Sequence, residues 1–151
     1  MGQSNKQIVV KEIAEHLPEI MRRLFGGRLI TSGAWELTVP QLRALTFTAD
    51  NADCTMGALA RSQGIGLSAA SGLVERLVQQ GLVEREAAPN DRRRVCLRLT
   101  NAGRRAREAC RRERKRRVEA ALRSLSAKQR AEIAAALALL RKALEATEQF
   151  D

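Results

Sequence analysis

"GIGLSAASGLVERLVQQGLVEREAAPNDRRRVCLRLTNAG", residues 64–103, changes its hydrophobic period part-way along, and that change decides the fold. Across 67–80 the apolar residues Ala70, Leu73, Val74 and Leu77 recur at i, i+3, i+4 and i+7, the spacing of an amphipathic helix. Gly81 follows as a helix stop. The period then drops to two. "LVERE" (82–86) and "RVCLRLT" (94–100) alternate apolar and polar, with Val95, Leu97 and Leu99 on one face and Cys96 and Arg98 on the other. Two such runs joined by "AAPND" and arginines predict a β-hairpin. Consecutive arginines at an exposed turn repel one another and add nothing to a core. They make sense where something anionic fills the space between them.

Outward from that stretch the chain reads as helices. "GIG" (64–66) is a tight turn, preceded by a short helix that begins near Thr55 in "TMGALARSQ". Another helix opens in "LTVPQLRALTFTA", where Thr38 and Gln41 have capping-box spacing and Pro40 falls in the first turn. Residues 6–30 carry Ile8, Val9, Ile13, Leu17, Ile20, Met21, Leu24 and Phe25 at helical spacing. Pro18 is expected to kink that helix or divide it in two, and "GG" at 26–27 to loosen or end it. Downstream, Thr100 caps "NAGRRAREACRRERKRRVEAAL". A last helix starts at "SAKQ" with Ser126 and Gln129 as a second capping box. Its Ile133, Leu137, Leu140 and Leu144 form a narrow seam suited to a partner helix.

The chain has 151 residues, enough for one domain or a small domain with an oligomerisation element. Its formal net charge of +10 favours nucleic acid, an acidic partner or an anionic membrane surface. No signal peptide or myristoylation pattern is visible, and the longest apolar run, "IAAALALL" (133–140), is too short to span a bilayer. A cytoplasmic location with no membrane partner is expected. Cys54, Cys96 and Cys110 are odd in number and lack CxxC spacing, which speaks against a disulfide framework and a zinc site. His16, the sole histidine, makes a poor metal site alone. No nucleophile–base pair, phosphate-binding Gly loop or paired carboxylates suggest an enzyme, and no cofactor is expected.

Helix, short helix, tight turn, helix and hairpin, in that order, predict a mainly α fold with a small β-hairpin wing. It is a winged helix-turn-helix, 37–100, set between an N-terminal helix region, 1–36, and C-terminal helices, 101–151, the last of which carries the seam suited to a partner helix. In such a fold the second helix of the pair enters the major groove, where base edges differ. An arginine at the hairpin tip can enter the adjacent minor groove, where narrow A·T-rich DNA concentrates negative potential.

The same stretch resembles the MarR family of bacterial transcription regulators. Asp91, Arg93, Leu99, Thr100 and Gly103 match the family's wing pattern, and "L-T-x-x-Q" (37–41), "L-A" (59–60) and "G-L-V-E-R" (81–85) also match. The likeness covers roughly residues 37–105. It implies a homodimeric DNA-binding regulator, expected to be a repressor, whose first and last helices interlock with those of a second subunit, with 1–36 as an N-terminal dimerisation helix, 37–100 as the DNA-binding domain and 101–151 as C-terminal helices completing a helical dimerisation region. It also implies that a small-molecule effector, where there is one, binds between the dimerisation helices and the reading head.

On that basis Arg93 is the expected minor-groove contact, and Asp91 braces an arginine or simply supports the turn. Arg92 and Arg94 are expected on phosphates, where arginine's fork suits the geometry. Ser68, Ser71 and Gly72 lie off the apolar stripe near the start of the reading helix. Arg76 either meets DNA or ties that helix to the wing. Arg104, at the head of the basic run 104–118, is expected to approach phosphate. Positions 66, 69 and 72 are often polar in relatives, and here they are Gly66, Ala69 and Gly72. That shifts the expected load toward shape readout and the wing, and keeps a sequence-tolerant architectural or nucleoid-type binder as the alternative. His16, Met21, Phe25 and Trp35 are candidates for lining an effector pocket. Cys54 precedes the N-cap Thr55, a position that favours thiolate; the plainer reading is small apolar packing.

Overall fold

The computed structural model describes residues 2–25, 30–32, 35–52, 54–88 and 91–147, with side chains for 7–25, 35–52, 54–87 and 95–147. The chain forms two compact units, Met1–Lys115 and Arg116–Asp151.

In the first unit, α1 (Gly2–Phe25) is one helix of 24 residues with Pro18 inside it. The division at Pro18 does not occur. The ring deletes one N–H, and the hydrogen-bond ladder on either side carries the helix through. α1 starts at Gly2, ahead of the 6–30 that apolar spacing suggested, and ends at Phe25, just before the paired glycines expected to loosen or end it. Ile30 belongs instead to β1 (Ile30–Ser32), which pairs antiparallel with β2 (Trp35–Leu37), Ile30 opposite Leu37. The sequence signal for this ribbon is the Ser32-Gly33 dipeptide, a turn marker set between β-branched and aromatic residues.

α2 (Val39–Asp50) starts at the expected box. The Gln41 amide donates to Thr38 Oγ1 at 3.3 Å, and the Thr38 amide donates to Gln41 Oε1 at 2.8 Å. α3 (Met56–Gln63) is capped by Thr55 and ended by Gly64, whose φ of +66° is the left-handed turn that "GIG" promised. α4 (Leu67–Gln79) follows, and Gly81 at φ +68° turns the chain into the hairpin. There β3 (Val83–Ala88) pairs antiparallel with β4 (Asp91–Leu99), Val83 opposite Leu99 and Arg85 opposite Leu97.

Leu37, Leu45, Leu59, Val74, Leu77, Leu82 and Leu97 are fully buried and form the centre of the core. One face assignment is corrected. Cys96 is buried and Val95 is exposed, the reverse of simple alternation. β4 has a second neighbour beyond β3. The Leu97 amide donates to Cys54 O at 2.7 Å, and Thr55 bridges Cys96. The middle of β4 is therefore paired along both edges, with Cys96 and Leu97 both buried, and Val95 lies past that second pairing, toward the tip.

α5 (Asn101–Leu122) begins where the wing ends. Thr100 Oγ1 accepts from the Gly103 amide at 3.0 Å and donates to Gly81 O at 2.6 Å; the Thr100 amide donates to Leu82 O at 3.1 Å. A Cβ at Gly103 would overlap Leu82 O. The Leu-Thr-x-x-Gly motif is thus the clamp that holds the start of α5 against the start of the wing.

In the second unit, α6 (Ala127–Thr147) starts at the expected Ser126–Gln129 box, at 2.9 and 3.2 Å. No α6 residue is buried within the chain, and Ile133, Leu137, Leu139 and Leu144 are exposed. Among the described residues no helix is long and apolar enough to cross a membrane, and no group of three or more His, Cys, Asp or Glu could hold a metal ion.

Candidate nucleic-acid interface

The turn at Gly64 sets α3 and α4 as a helix pair. Ala70, Val74 and Leu77 hold one face of α4 in the core. The opposite face carries Ser68, Ser71, Gly72, Glu75, Arg76 and Gln79, all exposed. The start of α4 differs from the starts of α2, α3, α5 and α6, each of which has a Ser or Thr hydroxyl accepting a backbone amide. Gly66 caps α4 with no side-chain hydrogen bond. The first-turn amides of α4 therefore have no side-chain acceptor, the condition in which a phosphate oxygen can serve instead. A Cβ at Gly66 or Gly72 would meet nothing within 4 Å, so packing does not require glycine at either place.

The wing is braced against that helix. Arg85 on β3 donates to Glu75 on α4 at 3.2 Å, and Arg98 on β4 pairs with Glu86 on β3 at 3.5 Å. The tie between helix and wing thus runs through Glu75, a residue the sequence reading did not assign to it, and Arg76 is left exposed on the outer face. Toward the tip the register jumps. Ala87 faces Val95 and Ala88 faces Asp91, so Arg92, Arg93 and Arg94 are extra residues on β4 with no β3 partner. Extra residues of this kind bend a strand and increase its twist. The side chains of Asp91, Arg92, Arg93 and Arg94 lie outside the described residues, as do Pro89 and Asn90 of the turn.

Arg104 is exposed near the head of α5, and its guanidinium donates to Leu99 O at 2.8 Å and Asn101 Oδ1 at 2.7 Å. Those contacts fix it beside the last residues of the wing. Further along α5, Arg107 donates to Asp50 at the end of α2 at 2.8 Å.

A cavity of about 390 Å³ opens between α1, α2 and α5, lined by Met21, Phe25, Val39, Leu42 and Phe47 with Arg43, Asp50 and Arg114 among its polar residues. Met21 and Phe25 are brought to it. His16 is exposed on α1, and Trp35 packs against the core; neither lines the cavity. Arg114 stands over the Phe25 ring, 6.0 Å from its centroid. Val39, Leu42 and Phe47 share one side of α2, which reads in sequence simply as core.

The cysteines are packing residues. Cys54, Cys96 and Cys110 are buried and free. Burial pushes the Cys54 thiol up, with a partial offset from Thr48 Oγ1 at 3.7 Å, and burial pushes Cys110 up as well. Burial at Cys54 thus opposes the thiolate that a helix N-terminus would favour.

Residues 35–94 match the sequence model of the MarR family. An uncharacterised HTH-type transcriptional regulator of Bacillus subtilis, YfiV, is 28% identical over 99 residues, a match that spans 64% of this chain and 62% of that protein. A MarR family protein from Bacillus stearothermophilus has the same fold, with a TM-score of 0.72, 24% identity, and coverage of 95% of this chain and 96% of that one. The PcaV transcriptional regulator of Streptomyces coelicolor, solved with its natural ligand, superposes with a TM-score of 0.62 at 24% identity, covering 89% and 91%.

Proposed function

We propose that this chain, whose residues 35–94 match the MarR family model, acts as a homodimeric transcription regulator that represses by occupying a palindromic operator. The observation that carries the reading is the pairing of an outward, uncapped α4 with a braced wing that bears three unpaired arginine positions. α4 enters the major groove, with Ser68, Ser71 and Gly72 nearest the bases and its open amide end on phosphate. Arg93 enters the minor groove, while Arg92, Arg94 and Arg104 meet phosphates.

Two copies are needed because a half-site has too little to read. α1 exposes Ile8, Val9, Ile13, Leu17 and Ile20, and α6 exposes Ile133, Leu137 and Leu144. Cover for these residues is the role we assign to the second subunit, with residues 1–36 and 101–151 forming the dimer and 37–100 reading DNA. Two α4 helices then enter successive grooves roughly 34 Å apart. The cavity beside Phe25 and Phe47 lies between α1, α2 and α5, and a small molecule held there would bias the spacing of the two reading heads. The ligand-bound state of PcaV supports that role.

The thin polar face of α4, with Gly66, Ala69 and Gly72, favours one competing reading: an architectural protein that binds DNA of any sequence. Fluorescence anisotropy on DNA from the protein's own upstream region and on scrambled DNA, across a salt series, separates the two. The regulator should prefer its own site by on the order of 10³ at physiological salt. Equal binding that collapses with salt would establish the architectural reading instead. Arg93→Ala should weaken binding more than tenfold, on the order of 1–3 kcal/mol per specific contact, with the dimer intact. Unchanged affinity would remove the wing from the interface.

A further inference from the structure

Among the described residues, the large apolar side chains left exposed lie on α1 and α6, with two exceptions. Leu67 opens α4, and Val95 stands near the tip of the wing. Each sits on one of the two elements assigned above to DNA. Leu67 is 62% exposed. Its spacing does not ask for this. Leu67, Val74 and Val78 stand at i, i+7 and i+11 on one side of α4, and Val74 is buried and Val78 half-buried. Core cover has run out by the first turn. Helical side chains tilt toward the N-terminus, so Leu67 projects past the end of α4.

The residues around it add little bulk. Gly66 and Gly72 have no side chain, Ala69 is an exposed methyl, and Ser68 and Ser71 are the polar groups of that end. Nothing long holds this end of α4 away from the floor of a groove. An exposed leucine alone is ordinary. This one stands at the end of a helix whose first-turn amides have no side-chain acceptor and whose outer face carries Arg76.

We infer that Leu67, with the Ala69 methyl in the same turn, reads the C5-methyl of thymine in each half-site. Of the groups that base pairs show in the major groove, that methyl is the apolar one. The contact rests on the regulator reading above, and it supplies the base-specific term that the short polar face of α4 lacks. DNA covers both kinds of surface at once: phosphates at the groove edge accept from the open amides while the methyl takes the leucine. The wing points to the same composition. Arginine enters minor grooves narrowed by A·T-rich sequence, and a helix that reads thymine needs A·T pairs.

The test is fluorescence anisotropy of the full chain on a duplex from its own upstream region. The duplex is made once with thymidine and once with deoxyuridine at every thymidine position, which removes the C5-methyl and keeps the pairing. Wild type should bind the deoxyuridine duplex about tenfold more weakly, since a buried methyl is worth about fourfold and a dimer covers at least two. Leu67→Ala should bind the thymidine duplex more weakly and lose at most about threefold more on deoxyuridine, because the partner of the methyl is gone. Its thermal midpoint should match wild type, as befits so exposed a side chain. No loss for wild type, or an equal loss for wild type and Leu67→Ala, overturns the proposal. So does a Leu67→Ala variant whose mass by light scattering changes while the methyl dependence stays, which would put a protein surface on Leu67. Scrambled duplexes of the same thymine content keep the two readings apart. Preference for the upstream sequence without methyl dependence removes only the leucine contact. Equal affinity for both sequences removes the operator, and the leucine contact then stands or falls on methyl dependence alone.

Discussion

At the scale of single residues, position 103 shows how little room the motif leaves. A methyl group there would overlap the Leu82 carbonyl, which is backbone and cannot swing aside. Gly103→Ala should cost about 3 kcal/mol, visible as a fall in the urea midpoint at unchanged slope. An unshifted midpoint would mean that α5 does not rest on Leu82. The cysteines make the opposite point. Cys54 lies beside a helix start, which favours thiolate, but the plainer reading is small apolar packing, and all three cysteines are buried. Native protein treated with iodoacetamide at neutral pH should stay unlabelled at Cys54 and Cys110 while urea-unfolded protein is labelled at both. Rapid native labelling would contradict the burial.

Among the elements, α4 gives up stability on its outer face. Gly72 sits in the interior of a 13-residue helix, exposed, with nothing near the place a Cβ would occupy. Gly72→Ala should raise stability by about 1 kcal/mol, measured by thermal unfolding. The same substitution should alter DNA affinity, since an added methyl changes how closely the helix approaches the groove. Stabilisation with no change in affinity would take Gly72 out of the interface. The wing shows a different compromise. Its base is paired along both edges of β4 and tied to Glu75, whereas its arginines occupy the stretch that the ladder leaves out. A braced base with an irregular tip suits the proposed minor-groove contact, since groove width varies with sequence.

For the molecule as a whole, the two ends of the chain carry apolar residues that the chain does not bury. Ile13 and Leu17 on α1 and Leu137 and Leu144 on α6 are each more than two-fifths exposed, and α6 has no buried residue. Apolar surface at regular helical spacing is what a partner helix covers. Leu137→Lys combined with Ile13→Lys should turn the proposed dimer into a monomer by light scattering and weaken operator binding by more than the loss of either contact alone. A double variant that remains dimeric would place the second subunit elsewhere.

Most of the architecture was legible because it rests on local rules. Periods of 3.6 and 2 separate α4 from the hairpin, and Thr38, Thr55, Thr100 and Ser126 mark four helix starts. The wing motif gave the family likeness because its residues are close together in sequence. What stayed hidden depends on distant chain segments meeting. Pro18 did not break α1, Cys96 rather than Val95 went inside, and Glu75 rather than Arg76 took the wing. Arg107 found Asp50 across 57 residues, and α1, α2 and α5 enclosed a cavity that included Met21 and Phe25 but left out His16 and Trp35. Apart from the β1–β2 ribbon, sequence by itself determined which segments are helix, turn and strand, because those choices are made within a few residues of each other. Only tertiary structure decided which faces are covered and which charges meet, because burial and pairing depend on what packs against them.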